Sequence, residues 1–140
     1  MIVAIASDHA GYRLKSFLIH HLPQHQWVDM GTHSESSMDY PDVAHPLATF
    51  VESGQAEFGI LICGSGNGVN IVANKHAGIR SALCWNLELA LLARQHNNAN
   101  VLALPARFIE EALSLEMVEA FLTTAFEGGR HATRVSKIPC

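Results

Sequence analysis

The sequence predicts an α/β fold in which helices cover both faces of a five-stranded parallel sheet. Short apolar runs alternate along the chain with segments whose apolar residues repeat at helical spacing. The run FGILIC at residues 58–63 is apolar at every position, as in a strand buried on both faces. The chain has 140 residues, which suits one compact domain spanning residues 1–140. A flavodoxin-like or Rossmann-like three-layer sandwich is therefore expected.

Each strand is predicted from a short apolar run bounded by polar or turn-forming residues. The five predicted strands cover residues 2–6, 27–30, 58–63, 80–84 and 101–104. The long connection at residues 31–41 is rich in Ser, Thr and His, which is typical of a surface loop.

Helices are predicted where apolar residues recur every three or four positions. Three such stripes are Leu14, Phe17, Leu18 and Leu22; Val43, Leu47, Phe50 and Val51; and Leu87, Ala90, Leu91 and Arg94. A last long helix is predicted over residues 109–126, with Leu113, Met117, Phe121 and Leu122 facing inward and a stop at Gly128 and Gly129. A polar tail is expected from Arg130 onward.

Composition excludes several classes of function. Hydrophobic residues make up 49% of the chain, charged residues 16%, and the formal net charge is −4. No long Lys/Arg run is present, which argues against nucleic acid or an anionic membrane as the main partner. The apolar start is too short for a signal peptide, and no stretch could cross a bilayer. The three cysteines form no C-x-x-C pair, so a cytoplasmic location without a disulfide framework is expected.

Polar residues follow several predicted strands, where ligands of such sheets bind. Asp8 and His9 follow the first strand, Cys63 and its glycine loop follow the third, and His96 lies ahead of the fifth. These acid, thiol and imidazole groups are expected to converge on one edge of the sheet.

The segment CGSGNG at residues 63–68 carries the clearest chemical signal. Its glycines let backbone N–H groups approach a ligand closely, and a cysteine beside such groups is suited to act as a thiolate near a developing anion. Each candidate also has a structural interpretation. Asp8 could cap the following helix, GSGNG could be a tight turn, and Cys84 is expected to be an inert buried thiol. No set of histidines has metal-ligand spacing, so no metal site is expected.

Six segments together resemble the ribose-5-phosphate isomerase type B family, which also contains hexose-phosphate isomerases. The segments are SDHAGYRLK, MDYPDVA, ILICGSGNGVNIVANK, GIRSAL, ARQHNNANVLALPAR and FEGGRHATRV. They occur in order over residues 2–135, and the set is far more specific than any one of them.

The resemblance implies an enzyme that interconverts an aldose 5-phosphate and a ketose 5-phosphate without metal or organic cofactor. Asp8 and His96 match the residues that open the furanose ring, and Cys63 matches the thiolate base that moves a proton between C2 and C1 through a cis-enediolate. The backbone amides of residues 64–68, which are Gly64, Ser65, Gly66, Asn67 and Gly68, would hold the oxyanion, with the Ser65 hydroxyl as a further donor.

The resemblance also implies a phosphate clamp and a homodimer whose sites draw on both subunits. The clamp positions are His9, Arg107, Arg130 and Arg134, and Tyr40 and Asn97 border the sugar. The segment from residue 130 is expected to contact the partner subunit, and pairing of dimers into tetramers is left open. His131 lies beside the clamp with no assigned role.

Several alternatives stay open at the level of sequence. One branch of the family replaces the cysteine by a glutamate later in the glycine loop, but that position here is Val69, so the chain fits the cysteine branch. The preferred sugar could be a hexose 6-phosphate. A flavin or nucleotide carrier lacks its glycine-rich loop after the first strand, and a cysteine phosphatase lacks an arginine in residues 64–73. A sugar-phosphate sensor without catalysis is the remaining alternative.

Overall fold

A computed structural model describes all 140 residues as a five-stranded sheet with helices on both faces. The strands are β1 (Ile2–Ser7), β2 (Gln26–Asp29), β3 (Phe58–Cys63), β4 (Ser81–Leu83) and β5 (Val101–Pro105). All neighbouring pairs are parallel, and the strand order is β2-β1-β3-β5-β4. The predicted fold class is confirmed.

The helices divide between the two faces of the sheet. They are α1 (Tyr12–His21), α2 (Pro41–Glu52), α3 (Asn67–Ala73), α4 (Leu87–Gln95), α5 (Glu111–Thr123) and α6 (Arg130–Ser136). Helices α1, α4 and α5 bury their apolar stripes against one face, and α2 and α3 cover the other. Each face therefore has its own hydrophobic core, and the middle strands contribute to both.

The buried strand β3 explains why its run has no polar residue. All six residues of β3 are buried, because the strand pairs with β1 on one side and β5 on the other and is covered above and below. The order in which strands are added to the sheet reverses between β1 and β3, since β2 lies on one side of β1, and β3, β5 and β4 lie on the other. Such a switch point opens a crevice at the carboxyl ends of the strands.

Two predicted elements near the end of the chain differ from the structure. The last long helix is shorter than residues 109–126 because Glu110 and Thr124 have extended backbones on either side of α5. The expected polar tail is wrong in its conformation: Gly128 and Gly129 have φ values of 71° and 56°, which turn the chain into helix α6.

The short strand β4 is the outermost strand on one side of the sheet. This strand pairs only with β5 and covers three residues, against the five that the sequence predicts. The side chain of Asn74 pairs with both backbone groups of Ser81, with Nδ2 donating to its carbonyl (2.9 Å) and Oδ1 accepting from its N–H (2.8 Å). Among the helices, none combines the length and the apolar character needed to span a membrane.

Candidate active site

Two adjacent strands, β1 and β3, end at the switch point and place an acid beside a thiol. Ser7 and Ile62 are partners in the ladder, so the residues that follow them, Asp8 and Cys63, leave the sheet side by side. The Asp8 N–H donates to the Ile62 carbonyl at 3.1 Å, which fixes this juxtaposition. Both side chains lie in residues that are less than a tenth exposed.

Asp8 caps the turn that follows it and keeps one oxygen free. Its Oδ1 accepts from the N–H groups of Ala10 (2.9 Å) and Gly11 (3.1 Å), while no protein donor reaches Oδ2. The capping interpretation is therefore correct, and it orients the carboxylate for a second interaction.

The loop after Cys63 presents backbone donors that have no protein acceptor. The N–H groups of Gly64, Ser65, Gly66 and Gly68 make no hydrogen bond within the chain. The Ser65 Oγ accepts from the N–H of Asn67 at 3.2 Å, which leaves the hydroxyl proton available for another acceptor. Unpaired amides grouped in one turn form a concave donor surface suited to an anion.

Gly66 is required by both backbone conformation and space. Its φ is 73°, and a Cβ there would lie 2.6 Å from Cδ1 of Leu83 and 3.0 Å from the carbonyl carbon of Leu104. Only glycine has free access to this conformation, so the loop takes its shape from this position.

A cationic side chain covers the start of the same loop. The Arg107 N–H donates to the Gly64 carbonyl (3.0 Å) and the Ala106 N–H to the Cys63 carbonyl (2.9 Å), which joins the segment after β5 to the glycine loop. The guanidinium lies over Gly64, where a Cβ would be 3.0 Å from Arg107 Nη1. Arg107 is otherwise exposed, so its donors can reach a bound anion.

The loop between β2 and α2 closes the site from another side. The ring of Tyr40 packs on Gly68, where an added Cβ would lie 2.7 Å from the ring. The Met38 N–H donates to Nδ1 of His9 at 3.3 Å, which makes that nitrogen an acceptor and assigns the proton of a neutral His9 to Nε2.

Lys15 anchors this loop from below and was not singled out by the sequence. The residue is 1% exposed, and its Nζ donates to Asp29 Oδ1 at 2.6 Å and to the Thr32 carbonyl at 2.5 Å. The available signal in the sequence was the position of Lys15 between Leu14 and Leu18, on the inward side of α1. A lysine buried there requires a partner for its charge.

The remaining predicted residues lie at the opposite ends of the strands, the amino ends, which we call the amino edge of the sheet. They are His96, Asn97, Arg130 and Arg134. Asn100, four residues after His96, accepts through its carbonyl from the N–H of Gly59 at the start of β3 (3.0 Å). Cys63 ends the same strand, and four residues of strand advance about 13 Å. The expectation that His96 and Asn97 share an edge with Cys63 is therefore wrong within one chain, because α4 runs back to the amino ends of the strands before β5 begins.

Arg130 and Arg134 belong to this second group as well. They lie on α6 and are exposed, and the buried His131 between them stacks on His96 with ring centroids 4.1 Å apart and an interplanar angle of 10°. The Glu127 carboxylate lies near both rings, 3.7 Å from Nε2 of His96 and 3.6 Å from Nε2 of His131.

Buried Arg94 holds the segments that carry this second group. Its Nη1 donates to the Ala99 carbonyl (2.6 Å) and to Asn98 Oδ1 (3.0 Å), and its Nε donates to the Thr124 carbonyl (3.2 Å). The guanidinium also lies 4.8 Å from the centre of the Phe58 ring. Its helical spacing correctly predicted that Arg94 faces inward, but these hydrogen bonds depend on loops far away in sequence.

The cysteines have distinct environments. Burial raises the pKa of Cys84 to about 12, so this thiol stays protonated at neutral pH and is inert, as its sequence context predicts. Cys140 is exposed at the end of the chain. A cleft of about 1000 Å³ runs along β4 between these two cysteines and includes His96 and Asn97, but Cys63 does not line it.

The sequence matches the Ribose/Galactose Isomerase family over residues 3–138. The chain belongs to the ribose/galactose isomerase family. This match confirms the family and the enzyme class, sugar-phosphate isomerase, that the six segments predict.

Relatives in this isomerase family share both sequence and fold with the chain. Ribose-5-phosphate isomerase B of Escherichia coli is 43% identical over 138 residues, which cover 97% of this chain and 93% of the relative. A crystal structure of a ribose 5-phosphate isomerase from Thermotoga maritima is 48% identical with a TM-score of 0.96, covering 99% of this chain and 97% of that one. Ribose-5-phosphate isomerase B from Mycoplasma genitalium, crystallised with ribulose-5-phosphate, is 44% identical with a TM-score of 0.93, covering 98% and 93%.

Proposed function

We propose that this chain interconverts ribose 5-phosphate and ribulose 5-phosphate through a cis-enediolate, with Cys63 as the base that carries the proton between C2 and C1. The observation that carries the proposal is the position of Cys63 beside Asp8 and at the start of a loop with four unpaired backbone N–H groups. The names of the relatives support the substrate, and one of them was crystallised with ribulose-5-phosphate.

The first step is opening of the furanose ring of ribose 5-phosphate. A proton must leave the anomeric hydroxyl and a proton must reach the ring oxygen, so the step needs a base at the first oxygen and an acid at the second. The free Oδ2 of Asp8 suits one role and the imidazole of His96 the other. A positioned acid or base contributes about 10²- to 10⁴-fold to such a step.

The second step moves a proton between neighbouring carbons. The Cys63 thiolate takes the proton from C2, and the electron pair of the C2–H bond forms the C1=C2 bond while negative charge moves to the C1 oxygen. A proton passes from the C2 oxygen to the C1 oxygen, and the resulting thiol returns its proton to C1 to give the ketose. Negative charge develops on the substrate oxygens, where the free backbone amides of Gly64, Ser65, Gly66 and Gly68 and the Ser65 hydroxyl can donate. Removal of one such donor raises the activation free energy by about 3 kcal/mol.

The phosphate is held by cationic and neutral donors. Arg107 and the Nε2–H of His9 are available at the edge that carries Cys63. Arg130 and Arg134 add two guanidinium groups, whose paired N–H donors match phosphate oxygens. Tyr40 and Asn97 are assigned to the rim of the sugar site.

The complete site is proposed to form between two copies of the chain. Within one chain, Cys63, Asp8 and Arg107 lie at the carboxyl edge of the sheet, whereas His96 and α6 lie at the amino edge. A two-fold homodimer that brings the amino edge of one copy to the carboxyl edge of the other would supply both groups twice. The exposed arginines of α6 fit such a contact with a partner.

The test is ketose formation from ribose 5-phosphate, allose 6-phosphate and galactose 6-phosphate by the wild-type protein, Cys63→Ala and Cys84→Ala. We expect activity on ribose 5-phosphate that falls at least about 10³-fold in Cys63→Ala and is unchanged in Cys84→Ala. The second variant controls for loss of a buried thiol.

The possible results separate the parts of the proposal. Activity confined to a hexose phosphate would keep the mechanism and change the substrate. Full activity in Cys63→Ala would overturn the role of Cys63, and binding of sugar phosphates without turnover would favour the sensor.

A further inference from the structure

The stacked pair His96 and His131, with Glu127 between their Nε2 atoms, is a polar cluster to which neither the sequence nor the relatives assign a joint role. The ring centroids are 4.1 Å apart, and Glu127 Oε1 lies 3.7 Å and 3.6 Å from the two nitrogens. The backbone holds the cluster together, because the Glu127 N–H donates to the Gln95 carbonyl at 3.0 Å. Gly128 and Gly129 then turn the chain so that His131 returns beneath His96.

This geometry suits one protonated imidazole beside a neutral one better than it suits a metal ion. The ligand atoms of the three residues lie within 4.8 Å of one another. The rings are parallel within 10°, so the in-plane lone pairs of the two imidazoles point side by side and do not converge on one centre. Parallel stacking, in contrast, fixes the plane of one ring by the plane of the other.

Two imidazolium ions are disfavoured in this cluster. Two protonated rings in this stack would repel, and Glu127 supplies a single compensating carboxylate. Burial lowers the pKa of His131, and the neighbouring His96, Arg130 and Arg134 act in the same direction, while Glu127 opposes them. The His131 side chain is 11% exposed and that of His96 is 39% exposed, so His96 is the more hydrated ring.

We propose that His131 and Glu127 are positioning residues for His96: His131 is a neutral, buried ring that fixes the plane of the His96 imidazole, and Glu127 stabilises its protonated form. This inference rests on the proposed role of His96 in ring opening. It adds distinct roles for the two histidines: His96 transfers the proton, and His131 holds the His96 ring in position.

The experiment measures kcat and KM for ribose 5-phosphate, as a function of pH, in the wild-type protein, His131→Ala, His131→Phe and Glu127→Gln. In His131→Ala we expect kcat to fall about tenfold to 100-fold with KM changed less than about threefold, because the ring of His96 loses its support. His131→Phe keeps a flat ring of similar volume and should restore kcat to within about threefold of wild type. It also fills the space that His131→Ala leaves empty, so it remains informative if His131→Ala unfolds.

Glu127→Gln provides the charge-specific readout. Loss of the carboxylate should lower kcat more at about pH 8 than at about pH 6, because the imidazolium of His96 then gives up its proton more readily. A merely structural role for Glu127 predicts the same loss at both pH values.

Histidine ring NMR of the substrate-free protein distinguishes failure of this inference from failure of the proposed function. Ring signals of His96 should move at lower pH in Glu127→Gln than in wild type, and only one of the two rings should take up a proton between about pH 7.5 and about pH 5.5. Simultaneous protonation of both rings, or equal activity loss in folded His131→Ala and His131→Phe, would overturn the inference. A wild-type protein that isomerises no sugar phosphate but shows the expected NMR behaviour would overturn only the assigned reaction.

Discussion

The guanidinium of Arg107 lies directly over Gly64, so close that a Cβ on that glycine would be only 3.0 Å from Nη1. The guanidinium is the flexible end of an exposed side chain, so it can move away from an added Cβ, whereas a backbone atom could not. Gly64 thus sets the position of a cation above the loop that follows Cys63, which links the backbone of the site to its proposed phosphate clamp.

Replacement of Gly64 by Ala should displace Arg107 with little effect on the fold. We expect KM for ribose 5-phosphate to rise about tenfold while the melting temperature changes by less than about 3 °C, because one charge-assisted contact to phosphate is weakened. Steady-state kinetics and thermal unfolding measure the two effects. An unchanged KM would argue against Arg107 as a phosphate ligand.

The matched control is Gly66→Ala, two residues further along the loop. Gly66 has a φ of 73°, and an added Cβ meets Leu83 at 2.6 Å and the Leu104 backbone at 3.0 Å. This variant should lose about 1–3 kcal/mol of unfolding free energy, because neither the strain nor the backbone contact can relax cheaply. Chemical denaturation of both variants separates the effect on ligand binding from the effect on stability.

A mixture of two inactive variants should regain activity if the site is shared between subunits. Cys63→Ala disables the carboxyl-edge group and His96→Gln disables the amino-edge group. In a mixed dimer, the Cys63 of one copy meets the His96 of the other, so one site of two is intact. Random subunit exchange should therefore restore about a quarter of wild-type activity.

The control for this exchange is the double variant that carries both substitutions, mixed with either single variant. None of these mixed dimers contains an intact shared site, so activity should stay at background. A complete site within each chain would predict no recovery in any mixture, and that result would contradict the dimer arrangement.

Selective alkylation should distinguish the two buried cysteines at neutral pH. Burial raises the pKa of Cys84 to about 12, so its thiolate fraction at pH 7 is negligible and it should resist iodoacetate in the folded protein. In a Cys140→Ser background, which removes the exposed thiol, we expect only Cys63 to react and ribose 5-phosphate to protect it. Peptide mass spectrometry identifies the modified residue, and rapid labelling of Cys84 would contradict its assigned environment.

Acid should destabilise the protein partly through His131. The pKa of His131 is lowered in the folded state by burial, so the unfolded chain binds a proton first as the pH falls below about 6.5. Stability contributed by the neutral ring is therefore present above that value and is lost as the pH falls toward the folded-state pKa. The unfolding free energy of His131→Phe should decline less than that of wild type between about pH 7 and about pH 5.

Denaturant titrations at several pH values test this difference. Because phenylalanine cannot be protonated, a parallel decline in both proteins would assign the acid sensitivity to other groups. Glu119→Gln provides a comparison, because it removes a second histidine–carboxylate contact, His25 Nε2 to Glu119 Oε1 at 2.5 Å.

The sequence by itself determined the family, the fold class and the identity of the carboxyl-edge group. The apolar run of β3 and the glycine loop after it form a local signal, because strand burial and turn conformation depend on neighbouring residues. The same holds for Asp8, whose capping contacts span three residues.

Only the tertiary structure decided how the candidate residues divide between the two edges of the sheet. His96 and Cys63 both adjoin strands in sequence, but at opposite ends of them. His96 follows α4, which runs back to the amino ends of the strands, and so it precedes β5, whereas Cys63 ends the neighbouring strand β3. The two residues are therefore separated by about the length of a strand. The stacking of His131 on His96 and the hydrogen bonds of Arg94 were equally hidden, since they join segments about 30 residues apart through packing around Gly128 and Gly129. Local pattern specifies strands and turns, whereas such long-range contacts depend on how whole elements pack.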